Sequence, residues 1–511
     1  MTDAVDYERF YYCDEKTQEL KLVSHGSNDN AADCFVTEKV TDLEFGITEK
    51  ESENIADKVN DGDAGHSLMV DRAYCPIKAA TDWGWDVGAA KECTILVNNG
   101  LERRYLLLPE DTNGRYHKVE IYKNKKEEES KLGEINGIDS WSQYIYDQMN
   151  VNGKKTNIGY KMKLMFIADD GSNMRLYSTF GCDLDSVGNV QPAGLKQEIF
   201  KAIGGPILLA NSARDNMEEI KVVYEVNYQG FQWAMDMVDY LLENKEWDLA
   251  LHGMHMIDIS THVHLNTISS GSEHAQEHYD YIDKYYELAD EYIGRHLKWL
   301  DQGVAIAIGS DHGGLLIGDD SIELGDAWNL NIGVLEELGY TVTKTVNGKK
   351  VIDWSKTRAI AQRSSYIYVN LKGRDPYGIV EPEDYDKLVE DIITDLYEYR
   401  DKKTGRRVIN IALNKNDMEI VHLYGNRVGD IFYTLEPDFA HDQGNSLPNA
   451  KREGTSMRCL FAIAGPGVKE NHVLERRIEM VDVVPTLCHL GGSDVPETAE
   501  GGVIYQALIK D

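Results

Sequence analysis

The stretch Val304-Ala-Ile-Ala-Ile-Gly-Ser-Asp311-His312-Gly313-Gly314 places a short apolar run before an Asp-His pair and two glycines. The apolar run predicts a buried strand at 304–308, and the glycines allow the backbone to turn sharply after it. In open α/β sheets, ligands bind at the carboxyl ends of the strands. The stretch therefore predicts an α/β fold with functional side chains at that edge of the sheet.

A second segment has the same arrangement earlier in the chain. The apolar run 249–256 predicts another strand, and Asp258-Ile-Ser-Thr-His262 follows it. If this segment turns into a helix, an Asp and a His four residues apart share a face and can bind one metal ion. An N-capping Asp beside an exposed His would explain the same spacing without a metal. Two Asp/His pairs together favour a site for zinc, manganese or iron over calcium or magnesium.

A third segment carries a histidine among turn-forming residues. It reads Glu436-Pro-Asp-Phe-Ala-His441-Asp-Gln-Gly444-Asn-Ser-Leu-Pro448. A lone histidine in such a loop is ordinarily just solvated. Together with the two Asp/His pairs, however, His441 becomes a further candidate metal ligand.

The region 201–511 alternates between predicted helices and strands. The expected helices span 231–243, 277–300, 327–338 and 384–400, and the expected strands span 247–256, 304–308, 408–413 and 459–464. This alternation predicts a doubly wound, largely parallel sheet. We therefore expect 201–511 to form an α/β core that binds metal.

The region before 201 has a different character. Residues 1–65 are polar and acidic and predict loops, whereas 66–200 predict a β-rich cap or insert subdomain. Expected strands lie at 94–97, 104–108, 117–122, 161–167 and 174–179. The turn formers Asp169-Asp170-Gly171-Ser172 between the last two strands predict a hairpin.

The composition restricts the partners and the compartment. A formal net charge of −34 argues against general electrostatic binding of nucleic acid or anionic membranes. An anionic substrate would therefore need local cations, such as bound metals. Seven cysteines without a CxxC pair suggest reduced thiols, and no signal peptide or membrane-spanning run is visible. These features predict a cytoplasmic protein.

The order of the motifs resembles the metal-ligand order of the alkaline phosphatase superfamily. The tail is similar to the type I phosphodiesterase/nucleotide pyrophosphatase branch, in Phe461-Ala-Ile-Ala-Gly465-Pro466-Gly467 and Val481-Asp482-Val-Val-Pro485-Thr486. The resemblance covers roughly 200–511. It implies a three-layer α/β/α sandwich, with the preceding region as the variable cap.

The resemblance also implies a ligand set and a chemistry. Asp258, His262 and His441 would hold one divalent metal ion, and Asp311 with His312 would hold a second. Zinc is the expected metal and manganese the alternative. Such a pair of ions clamps a phosphoryl group, so the expected function is hydrolysis of a small phosphoric ester, as in phosphodiesterases and nucleotide pyrophosphatases.

The sequence departs from the family at the nucleophile. The family normally begins with an apolar strand that ends in a metal-binding Asp, followed later by a nucleophilic Thr or Ser, and no such pair is found. The run Leu164-Met-Phe-Ile-Ala-Asp169 fits a hairpin better, and Thr81, Ser172 and Thr179 are poor candidates. The catalytic nucleophile therefore stays unknown.

Three alternatives remain open at this point. The chain can be a catalytically incomplete member of the family, either truncated or degenerate. It can depend on a separate chain that supplies the missing N-terminal strand. A sulfatase or a metal-dependent phosphomutase would share the same metal scaffold by family resemblance.

Overall fold

The structure is a computed structural model in which part of the chain is described. The described residues are 4–6, 9–13, 20–24, 77–98, 102–151, 153–185, 190–210, 217–269, 271–314, 333–346, 349–362, 366–425, 428–436, 439 and 458–510. The chain divides into two compact units, Met1–His255 and Met256–Asp511. The predicted start of the core at 201 precedes this division, and the three-part organisation stays a prediction.

The first unit is rich in short antiparallel strands. The strands are β1 (Ala4–Asp6), β2 (Arg9–Cys13), β3 (Leu20–Ser24), β4 (Lys78–Ala79), β5 (Ala90–Val97), β6 (Glu102–Pro109), β7 (Lys118–Tyr122), β8 (Lys131–Asn136), β9 (Ser140–Trp141), β10 (Ile145–Val151), β11 (Lys154–Tyr160), β12 (Met162–Ile167), β13 (Met174–Ser178) and β14 (Gly181–Asp183). They form sheets in the orders β1-β14-β11-β10, β3-β2-β13-β12-β9 and β4-β5-β6-β7-β8. The strands predicted between 94 and 179 are therefore confirmed. The expectation of loops over 1–65 is wrong where β1, β2 and β3 form, because these short segments pair with β14, β13 and each other.

The predicted hairpin at 169–172 is also confirmed. Strands β12 and β13 pair antiparallel on either side of it. Gly171 adopts a φ of 64°, which glycine reaches without steric cost. The Asp170 carboxylate accepts hydrogen bonds from the amide and the hydroxyl of Ser172. The two acids thus belong to a turn rather than to the end of a parallel strand.

The described part of the first unit also contains two helices, α1 (Leu195–Ile203) and α2 (Met217–Asn244). Helix α2 buries Val222, Val223 and Val226 against Met165 and Tyr177 of the β12–β13 hairpin. The spacing of these valines puts them on one stripe of the helix, as expected of an amphipathic helix on a sheet. The predicted helix at 231–243 lies within α2.

The second unit contains the candidate site. Its helices are α3 (Met256–Ser260), α4 (Asn266–Ser269), α5 (Ala275–His296), α6 (Gly333–Glu337), α7 (Tyr385–Glu398) and α8 (Val483–Gly491). Its strands are β15 (Ile306–Gly309), β16 (Thr343–Val346), β17 (Lys349–Ile352), β18 (Ala359–Gln362), β19 (Tyr366–Val369), β20 (Ile409–Asn414), β21 (Ile431–Leu435) and β22 (Phe461–Ala464). Strand β15 pairs with β22, β16 pairs with β17, and the remaining strands form a sheet in the order β18-β19-β21-β20.

Helix α7 packs its apolar side chains into one hydrophobic core of the second unit. Its apolar residues Leu388, Val389, Ile392 and Leu396 recur at helical spacing and are buried in the core that the sheet β18-β19-β21-β20 contributes. Full burial of one such side chain stabilises the fold by about 1.5–3 kcal/mol. The predicted helices at 384–400 and 277–300 correspond to α7 and α5, and the predicted strands at 304–308, 408–413 and 459–464 correspond to β15, β20 and β22.

The predicted strand at 247–256 is wrong. In the structure this stretch carries no strand, and Leu249 and Leu251 are 72% and 90% exposed. A short apolar run does not by itself distinguish a strand from another conformation. It contains too few residues to show whether the apolar positions repeat with the period of a strand or of a helix. Of the predicted helix at 327–338, only Gly333–Glu337 is helical, and 327–332 lie outside the described residues.

The chain has the expected mixed α/β character. Among the described strands, the ladders are antiparallel, so the expected parallel sheet is not found there. The three-layer sandwich stays a prediction. Across the described residues, none of the helices is both long enough and apolar enough to span a membrane.

Candidate functional site

Asp258 lies in a helix rather than after a strand. It belongs to α3, which continues directly into a π-helical segment at Thr261–Leu265. The hydroxyl of Thr261 donates a 2.7 Å hydrogen bond to the carbonyl oxygen of Asp258 across this junction. Asp258 and His262 are therefore about one turn apart on a continuous helical backbone, as the spacing predicted. Short π-helical stretches are rare and frequently occur at functional sites.

Asp311 and His312 follow β15, as predicted. The antiparallel pairing with β22 continues beyond the strand, because the Ser310 amide donates to the Leu460 carbonyl at 3.1 Å and its hydroxyl accepts from the Leu460 amide at 2.9 Å. The thiol of Cys459 donates to the carbonyl oxygen of Asp311 at 3.2 Å. The end of β22 thus fixes the backbone from which Asp311 and His312 project.

The His312 imidazole approaches a carboxylate from each of the two segments. Its Nε2 atom lies 3.8 Å from Oδ1 of Asp258 and 3.7 Å from Oδ2 of Asp311. Both distances exceed a hydrogen bond. Two atoms that bind one ion at about 2.0–2.2 Å can lie up to about 4 Å apart. The separations therefore leave room for a cation that each pair of side chains could share.

The other ring nitrogen of His312 indicates which tautomer is present. Nδ1 lies 3.2 Å from the carbonyl oxygen of Gly313. Because a carbonyl can only accept, Nδ1 carries a proton in this contact, which in the neutral tautomer leaves the Nε2 lone pair free for a metal ion. This arrangement is typical of histidine ligands, in which a carbonyl holds the second ring nitrogen.

Two predicted ligands cannot be compared with this geometry. His441 lies outside the described residues, and for His262 only the backbone is described. Across the part of the chain that is described, no group of three or more His, Cys, Asp and Glu side chains is arranged to hold a metal ion. The five-residue ligand set Asp258, His262, Asp311, His312 and His441 thus stays a prediction.

A buried pair of histidines, which no sequence motif predicts, lies beside the site. Nδ1 of His264 is 2.9 Å from Nδ1 of His278, and each residue is 1% exposed. The His264 ring stacks on Tyr281 with centroids 5.6 Å apart. Burial, and then the neighbouring His278, lower the pKa of His264 to about 3. A hydrogen bond between the two rings requires one Nδ1–H to donate and the other Nδ1 to accept.

Other residues considered from the sequence take structural or exposed positions. His252 and His255 are exposed instead of packed in a strand. Thr179 is buried, and its hydroxyl donates to the Phe180 carbonyl while accepting from the Lys161 amide. Ser172 is held in the hairpin turn by Asp170. These positions give neither hydroxyl a nucleophile's environment.

The thiol of Cys459 contacts the backbone of the predicted ligand Asp311. Burial, and then the negative charge of Asp311, raise the pKa of its thiol above the usual value. A raised pKa keeps the sulfur protonated at neutral pH, and metals bind the thiolate. Cys459 therefore acts here as a hydrogen-bond donor to the backbone.

Comparisons with known proteins give one family. The sequence model described as type I phosphodiesterase / nucleotide pyrophosphatase matches residues 144–456. This match begins within the region expected to be a cap. No curated protein matches the chain.

Two solved structures are similar to part of the chain. A mutant of the alkaline phosphatase PafA is 14% identical with a TM-score of 0.38, covering 63% of this chain and 67% of that one. Wild-type alkaline phosphatase PafA is 14% identical with a TM-score of 0.35, covering 56% of this chain and 53% of that one.

Proposed function

The chain belongs to the type I phosphodiesterase / nucleotide pyrophosphatase family, and on this premise we propose that it is a metal-dependent phosphoric ester hydrolase with a two-metal site. The observation that carries the proposal is the approach of His312 Nε2 to Asp258 at 3.8 Å and to Asp311 at 3.7 Å. It joins two segments that are distant in sequence and that each carry an Asp/His pair. Zinc is the first candidate ion, because carboxylate oxygen and imidazole nitrogen suit it, and manganese is the second.

Some residues of the site would bind the metal ions, and others would orient these ligands. Asp258 and Asp311 supply negative oxygens, and His312 supplies a neutral nitrogen whose orientation the Gly313 carbonyl fixes. Divalent ions bound there would neutralise the phosphoryl oxygens, activate the attacking oxygen and stabilise the leaving oxygen. His262 and His441 are proposed to complete the ligand set.

The net charge of the protein suggests that an anionic substrate would need bound cations at its site. A net charge of −34 repels an anionic phosphoric ester from the surface as a whole. A cluster of carboxylates would increase this repulsion unless it binds cations. We therefore place the small phosphorylated substrate at the Asp258–His312 region, where bound ions would reverse the local field.

The experiment measures metal binding and hydrolysis on the same variants. The purified chain, freed of metal and titrated with Zn²⁺ or Mn²⁺, should bind about two ions and then hydrolyse bis(p-nitrophenyl) phosphate. The double variant Asp311→Ala with His312→Ala should lose at least one of the ions and the hydrolysis. Asp301→Asn is a matched control, because Asp301 is an exposed acid that precedes β15. A double variant that still binds two ions would contradict the site assignment.

A second candidate is a family member that binds metal but does not hydrolyse esters alone. The environments of Thr179 and Ser172 favour it, because both hydroxyls are engaged in local structure. A chain that binds two ions yet leaves both nitrophenyl phosphate and its diester intact would fit this candidate. Activity restored by a separate chain would then identify a partner-dependent enzyme.

A further inference from the structure

The π-helical segment Thr261–Leu265 is anchored by a contact that the proposed reaction does not use. His264 lies within this segment, and His278 lies in the second turn of α5. Their Nδ1 atoms are 2.9 Å apart, and both side chains are almost completely buried. A direct hydrogen bond between these atoms has one Nδ1–H donating to the lone pair of the other Nδ1. The contact therefore fixes both the tautomers and the separation of the two elements.

Aromatic rings restrict the pair further. His264 stacks on Tyr281 with an interplanar angle of 7°, and its centroid is 6.0 Å from that of Tyr285. Tyr281 and Tyr285 both belong to α5 and are buried. A ring held on one side by a hydrogen bond and on its face by a tyrosine has little rotational freedom. The turn is thus attached to α5 by a directional contact as well as by apolar packing.

The His264–His278 contact, here called the anchor, lies next to the segment that carries two predicted ligands. The backbone of His262 lies in the same π-helical turn as His264, and Asp258 lies in the helix that leads into it. π-helical turns are rare and appear mostly as single turns inserted in α-helices. Without the anchor, the segment could rewind to α-helix and rotate the residues on it. Such a rotation would change the distance between the two predicted ligands.

We propose that His264 and His278 are positioning residues that hold the turn carrying His262 in the register needed for metal binding. This inference rests on the proposed metal-dependent function. Groups that orient metal ligands from outside the coordination sphere typically change metal affinity by about 10–100-fold when removed. Loss of the His264–His278 hydrogen bond should therefore weaken the binding of one ion about tenfold.

The test compares three variants by Zn²⁺ titration. His278→Phe keeps a buried ring but removes the hydrogen bond, and should weaken one binding step about tenfold. His278→Asn retains a polar atom near the position of Nδ1 and should restore most of the affinity. His296→Phe is the matched control, because His296 is a buried histidine at the other end of α5 whose Nδ1 bonds to the Tyr292 carbonyl. It should lower stability without changing metal affinity.

A second readout separates this inference from the proposed function. Amide hydrogen exchange of metal-free protein should rise in 258–269 for His278→Phe and stay unchanged there for His296→Phe. If wild-type protein binds no metal, the proposed function fails, and faster exchange in 258–269 would still support the anchor. Equal affinity losses in His278→Phe and His296→Phe, or exchange in 258–269 that does not change in His278→Phe, would overturn the inference.

Discussion

Gly314 packs directly against Thr261, joining the loop after β15 to the helical segment that carries Asp258. A Cβ atom added to Gly314 would lie 3.0 Å from Cγ2 and 3.3 Å from Cβ of Thr261. Few real Cβ contacts are this close, so an added Cβ requires the Thr261 side chain or the loop to shift by a few tenths of an ångström. The same two segments supply Asp258 and His312, and the glycine therefore sets how closely those side chains approach.

Gly314→Ala should consequently disturb the site through packing alone. We expect a loss of about 1 kcal/mol in the free energy of unfolding, the low end for overpacked sites because Gly314 is exposed, together with weaker Zn²⁺ binding. Thr261→Ser removes Cγ2 and should recover part of both losses in the double variant. Urea denaturation and Zn²⁺ titration of all three variants measure the coupling.

Gly294→Ala is the control for this change. Gly294 is in α5, and its added Cβ would have no neighbour within 4 Å. Since alanine is favoured over glycine in helices by about 1 kcal/mol, this variant should be neutral or more stable. A Gly314→Ala protein that matches Gly294→Ala in both stability and Zn²⁺ affinity would contradict the role of the contact.

Metal binding should also raise thermal stability. A ligand that binds only the folded state stabilises it by about 2.7 kcal/mol at 100 times its Kd. Adding Zn²⁺ to metal-free protein should therefore raise the Tm of wild type, and Asp258→Asn should abolish most of this shift. Differential scanning fluorimetry with Asp301→Asn as the unaffected comparison tests the prediction. An unchanged Zn²⁺-dependent shift in Asp258→Asn would exclude that carboxylate as a ligand.

The sequence predicts some parts of the site well because their signals are local. The apolar run before Asp311 becomes β15, and the four-residue spacing of Asp258 and His262 does lie on a helical backbone. The prediction of a strand before Asp258 is wrong because Leu249 and Leu251 are exposed, and burial depends on partners elsewhere in the chain.

Other features depend on contacts that no local pattern encodes. The pairing of His264 with His278 joins the π-helical turn to another helix, and the packing of Gly314 on Thr261 joins two distant segments. Neither contact leaves a period or motif in the sequence. A π-helical turn also has no sequence signature comparable to the apolar spacing of α7, because the surrounding packing selects it.

The first unit contains a buried ion pair whose disruption should be costly. Nε of Arg104 donates to Oδ2 of Asp147 at 2.6 Å, and the two side chains are 2% and 0% exposed. Tyr160 donates its hydroxyl to the same carboxylate oxygen at 3.2 Å. Asp147→Ala would leave a buried guanidinium without its main partner, which typically costs about 3–5 kcal/mol.

Replacing both Arg104 and Asp147 tests whether the loss of stability comes from an unpaired buried charge. Arg104→Met with Asp147→Leu removes both charges and should be much less destabilising than Asp147→Ala, because hydrophobic replacements of buried pairs are often nearly neutral. Urea denaturation followed by tryptophan fluorescence reports on all variants. If the double variant is at least as unstable as Asp147→Ala, the cost does not arise from an unpaired buried charge.

The ion pairs of Glu134 in β8 should make the free energy of unfolding depend on pH. Its carboxylate accepts hydrogen bonds from Lys131 at 2.6 Å and Asn136 at 2.9 Å and pairs with Lys118 at 3.0 Å. These partners, with Lys131 first, lower the pKa of Glu134 to about 2 from 4.5. Because the unfolded chain takes up this proton at higher pH than the folded chain, the stabilisation is present above pH 4.5 and is lost as the pH falls towards 2.

Glu134→Gln should therefore be less stable than wild type at neutral pH, and the difference should disappear in acid. The side chain is 37% exposed, and solvent screening limits the effect to less than about 1 kcal/mol. The difference should also shrink in about 1 M NaCl, where the Debye length is about 3 Å. Urea denaturation of both proteins from pH 7 to 3 measures it. A difference that stays constant across this range, or grows in acid, would show that the carboxylate charge does not contribute.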